Sequence, residues 1–316
     1  MSTERLRLWI WSIVIGGPLV VFAVWAINDN PRQFLSTFLN GVTLAALYFL
    51  VASGFTLVFG LMRNVNLAHG SLYLLGAYIG YDTADATGSW FLGVAAGFLS
   101  MSVVGLLLQI GVFRHMVGQE LRQTLVTIGI SIVLADLMLA VWGGKTYQFD
   151  PPDWLYGAIR LPLVRAYPIY RLALLGASIV IGIALWLFLN RTRIGMMIRA
   201  GVDDRAMLSA SGVNTQRIFA ITFALGAGLA GFAGVVGGTA LSIAPGEDVR
   251  YLLASLVVVI VGGMGSVTGA AIGALLIGLA EQLGLAYSPT YGVVYTFLIM
   301  VAVLAIRPQG ILGRPA

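Results

Sequence analysis

Long apolar runs separated by brief polar punctuation organise this chain. They occupy residues 8–27, 34–61, 67–81, 90–113, 121–142, 170–189, 218–243, 251–264, 267–286 and 291–306. An α-helix needs roughly 20 apolar residues to cross the ~30 Å hydrocarbon core of a bilayer. The pattern therefore predicts an all-α integral membrane protein of about ten transmembrane helices. Several runs are shorter or longer than a simple span, which predicts tilted or broken helices. The first run follows a basic start and is flanked by Trp9, Trp11 and Trp25. Tryptophans sit this way at membrane interfaces, so the run reads as a retained helix rather than a cleaved signal. No stretch is large enough for a separate soluble domain, and residues 1–316 read as a single transmembrane domain.

The polar segment at 190–217, NRTRIGMMIRAGVDDRAMLSASGVNTQR, stands between two apolar runs. Its part from 195 to 211 suits a short amphipathic helix, with Asp203 and Asp204 near the start and Gly212 as a glycine stop. Met196, Met197, Ile198, Met207 and Leu208 give that helix an apolar side, and methionine suits an adaptable docking surface. The segment reads either as a contact with a separate protein outside the bilayer or as a helix lying in the lipid interface.

Orientation follows from the basic residues. With the N-terminus in the cytoplasm and ten alternating spans, twelve arginines fall on the cytoplasmic side, among them Arg5, Arg63, Arg114, Arg191, Arg217 and Arg314. Six basic residues fall outside, including Lys145. Both termini are then cytoplasmic. A weak internal repeat accompanies this count: FGLMRNVN at 59–66 aligns with VGGMGSVT at 261–268, each between an inward and an outward run. Copies of the same sense fit a parallel repeat. The breaks at Asn64 and Asn66 and at 262–266 read either as interruptions at membrane depth, which mark a translocation site, or as ordinary turns.

Composition supports the membrane reading. The chain is 59% hydrophobic and 10% charged, against roughly 25% charged in a soluble domain, and its mean hydropathy is +0.93. Forty glycines suggest close helix packing. With no cysteine and two histidines, thiolate chemistry and a histidine-rich metal site are excluded. The net charge of +5 serves membrane orientation rather than a nucleic-acid partner. There is no phosphate-binding G-x-x-x-x-G-K-[ST] motif, so ATP, if it drives this protein, binds another polypeptide. The chain itself is expected to bind no cofactor and to catalyse no reaction.

Two acids interrupt helices: Asp136 and Glu281. Each costs about 2.5–3.5 kcal/mol at a helix centre, so each should face the bundle interior and find a partner. They read as lining of an outer mouth or as structural carboxylates. His69, alone among apolar residues, reads as a residue at a helix start. No series of acids or histidines runs through the chain, which disfavours proton-driven transport. The candidate path is narrow and mostly apolar rather than a charged pocket, with Asn40, Thr43, Asn64, Asn66, His69 and Ser266 as its sparse polar groups. A stand-alone channel or secondary transporter is the alternative to a part driven by a separate motor.

Four motifs in order resemble one family. They are LNGVTLAALYFLVASGFTLVFGLMRNVNLAHGSLYLLGAY at 39–78, IRAGVDDRAMLSASGVNTQRIFAITFALGAGLAGFAGV at 198–235, VIVGGMGSVTGAAIGALLIGLAE at 259–281 and RPQGILG at 307–313. The chain resembles the permeases of the branched-chain amino acid class of ABC importers, and its NLAHGS form is similar to the first of the two permease types in such systems. The resemblance implies a bacterial inner-membrane assembly with a second related permease and two cytoplasmic ATPase subunits, which hold the ATP and Mg. A periplasmic or lipid-tethered solute-binding protein completes it. It implies transport of branched-chain or other amino acids, urea, short amides or aromatic acids. It also implies that Arg199, Asp203, Asp204, Arg205, Met207, Leu208 and Gly212 couple the chain to an ATPase. Coupling loops of ABC importers commonly carry Glu-Ala-Ala before a spaced glycine. Here Ala206, Met207 and Leu208 stand in that place, while Asp204 and Gly212 match.

Overall fold

A computed structural model describes residues 26, 28–62, 66–161 and 163–313. Of the first apolar run only Ala26 is described, and Asn64 and Arg314 also lie outside the described residues. The other nine runs are helical. Among the described residues the α-helices are α1 (Pro31–Met62), α2 (His69–Thr87), α3 (Trp90–Gly111), α4 (Glu120–Trp142), α5 (Ile169–Arg191), α6 (Arg193–Asp203), α7 (Arg205–Ala210), α8 (Thr215–Ala240), α9 (Glu247–Gly262), α10 (Val267–Tyr287) and α11 (Gly292–Ile306). Six of them, α1, α3, α4, α5, α8 and α10, are long and apolar enough to cross a membrane.

Local chemistry sets the helix starts. Asn30 Oδ1 accepts the Gln33 N–H at 3.1 Å, and Pro31 follows it where a missing N–H costs nothing. Asn214 and Ser266 accept the N–H groups of Arg217 (3.1 Å) and Gly269 (3.0 Å) and so cap α8 and α10. At 32 residues α1 is ~48 Å long. It outruns the hydrocarbon core, as the length of its apolar run predicts.

The core lies along α1 and α8. Their apolar windows are 89% and 72% buried, against 11% for α4. α8 packs on α1, α2 and α3, with Gly76, Gly97 and Gly231 at the closest approach of three of these helices. Small residues serve that purpose where no hydrophobic effect drives helices together. Leu125 and Val133 on α4, Leu107 on α3 and Val180 on α5 point outward, as lipid-facing residues would.

Between α4 and α5 a two-stranded antiparallel hairpin forms, β1 (Ala158–Leu161) and β2 (Val164–Pro168). The helical reading of the sequence did not include it. Tyr156, beside the hairpin, donates to Asp150 Oδ1 at 2.6 Å, and that bond pushes its phenol above the ordinary range. α6 and α7 lie at the opposite end of α5.

Candidate functional site

Three contacts fix the level of α2 in the bundle. The Leu67 N–H donates to Thr127 Oγ1 (3.1 Å), the Ser71 and Ser131 hydroxyls bond at 2.8 Å, and Trp142 Nε1 donates to Asp82 (2.9 Å). Each pair is sixty positions apart, so α2 and α4 run parallel and in register. Residue 69 is then level with residue 129, about nine residues, or ~13 Å, past the start of α4. α2 starts inside the bundle rather than at its edge. The non-helical backbone leading into it is satisfied by Asn66 and Thr127. Asn66 Oδ1 accepts the Ala68 N–H (3.1 Å), and its carbonyl accepts the His69 N–H (3.3 Å). Irregular backbone at this depth requires such partners. The break at Asn66 thus lies within the length of α4, about nine residues past its start, and is not a turn at the level of that helix's end.

His69 opens α2 and is fully buried. Its Nε2 donates to the Val51 carbonyl (3.1 Å), and Phe55 meets its ring edge-on at 5.3 Å. His69 Nδ1 and Asn66 Nδ2 are buried with no hydrogen-bond partner among the described residues.

The second break behaves differently. Residues 263–266 are a tight turn at the α6/α7 end of the bundle. Gly60 lies against it, such that a Cβ there would sit 2.8 Å from Gly265 Cα. The Ser266 hydroxyl is occupied as the cap of α10. Ile311 and Leu312 donate to the Val261 and Gly262 carbonyls (2.9 Å each), so the RPQGILG segment covers the end of α9. The start of α9, by contrast, is held at the level of Ser71. Asp248, in its first turn, accepts a hydrogen bond from Ser71 (3.1 Å). Ser71 in turn meets Ser131, the central residue of α4.

Around that start lies a cluster of ionisable groups. Arg250 approaches Glu247 at 3.5 Å and Glu281 of α10 at 3.6 Å. Glu281 also accepts the Tyr48 hydroxyl of α1 at 2.7 Å. The Tyr251 ring packs at a tilt on Tyr73, centroids 4.3 Å apart, and meets Tyr48 at 6.5 Å. Glu247 and Asp248 sit where the helix dipole favours negative charge. The expectation of sparse polar groups without a charged pocket does not describe this region. Glu281 faces inward and is partnered, as an intramembrane acid should be. Asp136 does the opposite: it is exposed on α4, with no ion pair or hydrogen bond among the described residues.

The remaining path candidates do not gather with Asn66. Asn40 and Thr43 lie in the other half of α1, about 22 and 19 residues, or ~33 and ~28 Å, from its last residue. They line a small cavity of about 100 Å³ with Leu47, Arg171 and Gln282. Arg171 donates to Asn40 Oδ1, and Thr43 bonds the Tyr167 hydroxyl of β2.

The polar segment forms two helices rather than one. Thr192 caps α6 by accepting the Gly195 N–H (3.0 Å), and Asp204 caps α7 by accepting the Met207 N–H (3.0 Å). Asp203 is therefore the last residue of α6, not near the start of the amphipathic helix, and Arg205 is the first of α7. Gly212 ends the segment at φ +81, in the left-handed region expected of a glycine stop. Ile198 and Leu208 are buried, while Met207 is 70% exposed. Arg199 is half-buried and donates to Asn190 Oδ1 at 2.8 Å, so it ties α6 to the end of α5. Sequence reasoning missed Arg250, Asp248, Ser71 and Thr127. Their roles depend on which helices meet, and only the Pro-Gly-Glu-Asp run at 245–248 announces a helix start.

Comparisons with known proteins place this architecture. Residues 37–304 match the family described as branched-chain amino acid transport system / permease component. The high-affinity branched-chain amino acid transport system permease protein LivH of Salmonella typhimurium is 32% identical over 304 residues, covering 91% of this chain and 98% of that protein. The corresponding protein BraD of Pseudomonas aeruginosa is 30% identical, covering 90% and 97%. The ribose import permease protein RbsC of Haemophilus influenzae is 30% identical, covering 87% of each. No solved structure matches. The chain belongs to the family of permease components of branched-chain amino acid transport systems, and is thus a multi-pass transport subunit rather than an enzyme.

Proposed function

We propose that this chain moves a branched-chain amino acid, delivered by a solute-binding protein, across the bacterial inner membrane. ATP hydrolysis on two partner subunits powers the step. The observation that carries the reading is the pair α6 and α7. They are short, individually capped, and stand between two spanning helices with Ile194, Met196 and Met207 exposed. Exposed methionines on a short rigid element suit a groove in a partner protein. A channel working alone has no use for such an element. Within it, Met207 and Gly212 carry the contact and the stop, Leu208 anchors α7 to the bundle, and Arg199 holds α6 in place. The polar break at Asn66 and His69 and the charged start of α9 mark the path, with Asn40 and Thr43 nearer the outer end.

A second permease completes the membrane part. Asp136 supports this: an acid on an apolar helix costs about 2.5–3.5 kcal/mol when it faces lipid, and a protein neighbour or water removes that cost. The balance of basic residues supports a cytoplasmic place for α6 and α7 and an outer one for the hairpin.

Sidedness provides the test. The chain has no cysteine, so a single thiol reports alone. In intact cells with a permeable outer envelope, an impermeant maleimide should label Lys145→Cys. It should reach Met207→Cys only after the inner membrane is opened. Labelling of Met207→Cys in closed cells would place the short helices outside and end the docking assignment.

A further inference from the structure

We propose that the open ion pair of Glu247 and Arg250 at the start of α9 is a binding station for the zwitterionic head of an amino acid. Its guanidinium takes the carboxylate and its carboxylate takes the ammonium. This deepens the transport reading above and rests on it, because it places a filter for solute charge in the permease itself.

Four observations carry the assignment. The first is depth. Asp248 is tied through Ser71 to Ser131, the midpoint of α4, so the first turn of α9 lies near the centre of the bundle. Charged side chains at that depth face protein or a water-filled cavity and mark solute routes. The second is exposure. The side chains of Arg250 and Glu247 remain 48% and 31% accessible, whereas that of Glu281 is 11% accessible. The third is geometry. Arg250 stands 3.5 Å from Glu247 and 3.6 Å from Glu281. Both separations exceed the roughly 2.7–2.9 Å of a charge-assisted hydrogen bond, so the guanidinium fork is still available to a planar carboxylate.

The fourth observation decides the ligand's charge. Two carboxylates, Glu247 and Glu281, face one guanidinium, yet Glu281 is engaged inward by Tyr48, as the neighbouring Asp248 is by Ser71. The open ends are one cation and one anion. A zwitterion can enter between them and give each end an opposite charge in exchange for the one it loses. A lone amine or a lone carboxylate satisfies one end and strands the other, and an uncharged sugar satisfies neither. Tyr48, Tyr73 and Tyr251 form the wall behind the pair and hold it in place.

The test uses the full-length chain in membrane vesicles, with Val249→Cys as the reporter. Val249 is next to Arg250, 54% exposed, and outside the ion pair. A water-soluble maleimide should label it faster than Val180→Cys, a 64% exposed position on α5. L-leucine should slow that labelling. Isoamylamine, which lacks the carboxylate, and isocaproate, which lacks the ammonium, should not at equal concentration. Adding Arg250→Gln should raise the half-protecting leucine concentration about tenfold or more, the loss of one charge-assisted contact. The proposal fails if Val249→Cys labels as slowly as Val180→Cys. It also fails if leucine does not protect, if the analogues protect equally, or if Arg250→Gln leaves protection unchanged. None of these outcomes touches ATP-driven uptake, which tests the transport reading separately.

Discussion

Gly212→Pro abolishes solute uptake while ATP hydrolysis by the partner subunits continues. Gly212 sits at φ +81 and donates its N–H to the Ser209 carbonyl at 3.0 Å. Proline fixes φ near −65° and has no N–H, so the substitution reverses the backbone and deletes the bond that closes α7. A conformation this far from the native one costs roughly 1–3 kcal/mol, which is enough to unwind a six-residue helix. The damage stays local, because nothing lies within 4 Å of a Cβ at this position. The protein therefore inserts normally, and only the element that we propose touches the motor is lost. Measuring uptake and ATP hydrolysis on the same vesicles reads both halves of the expectation, and unchanged coupling would remove α7 from the docking surface. Reversing the charge of Arg205 should do much less, since a charge pair at a protein surface typically contributes about 0–1 kcal/mol.

Gly231→Leu prevents the chain from reaching its folded form in the membrane. A side chain on Gly231 would press into the Gly97 carbonyl and into Met101, and Gly76 packs closely on the Gly231 Cα. Three helices, α2, α3 and α8, close on this point. Backbone atoms cannot move aside as a flexible side chain can. Overpacking typically costs about 1–3 kcal/mol, and a clash with backbone lies at or beyond the upper end. Gly129→Leu, on α4, is the matched control, because nothing lies within 4 Å of a Cβ there. Thermal unfolding followed by size-exclusion chromatography should show Gly231→Leu lost or strongly destabilised and Gly129→Leu unchanged. Equal stability of the two would mean that α8 is not the packing centre.

Much of this fold is legible in the sequence because the bilayer imposes one rule on every span. The apolar runs at 121–142 and 267–286 return as α4, Glu120–Trp142, and α10, Val267–Tyr287, almost residue for residue. Gly212 is equally readable, since a left-handed helix stop leaves few choices. What periodicity does not carry is the level of one helix against another. The register of α2 rests on Leu67 meeting Thr127 and Ser71 meeting Ser131, contacts between residues sixty positions apart. Without them the break at Asn66 cannot be told from a turn, and the start of α9 reads as an outer loop. Arg250 and Asp248 were therefore hidden as site residues although both stand in plain view in the sequence. The division between α6 and α7 was missed for a different reason. Asp203 and Asp204 are both good caps, and only the extended backbone of Asp204, at φ −149, selects one of them. The hairpin at 158–168 was missed because its two strands span four and five residues, too short for a clear alternation.

The central claim is that this chain is the membrane part of a machine whose motor lies on other polypeptides. The most direct test is uptake of labelled leucine into vesicles reconstituted with the chain alone, and with the chain plus the subunits that co-purify after mild extraction. The account predicts no accumulation with the chain alone. It predicts accumulation with the full set only when ATP and the solute-binding protein are present. Leucine uptake by the chain alone, without ATP, would contradict it and identify a channel or secondary transporter instead.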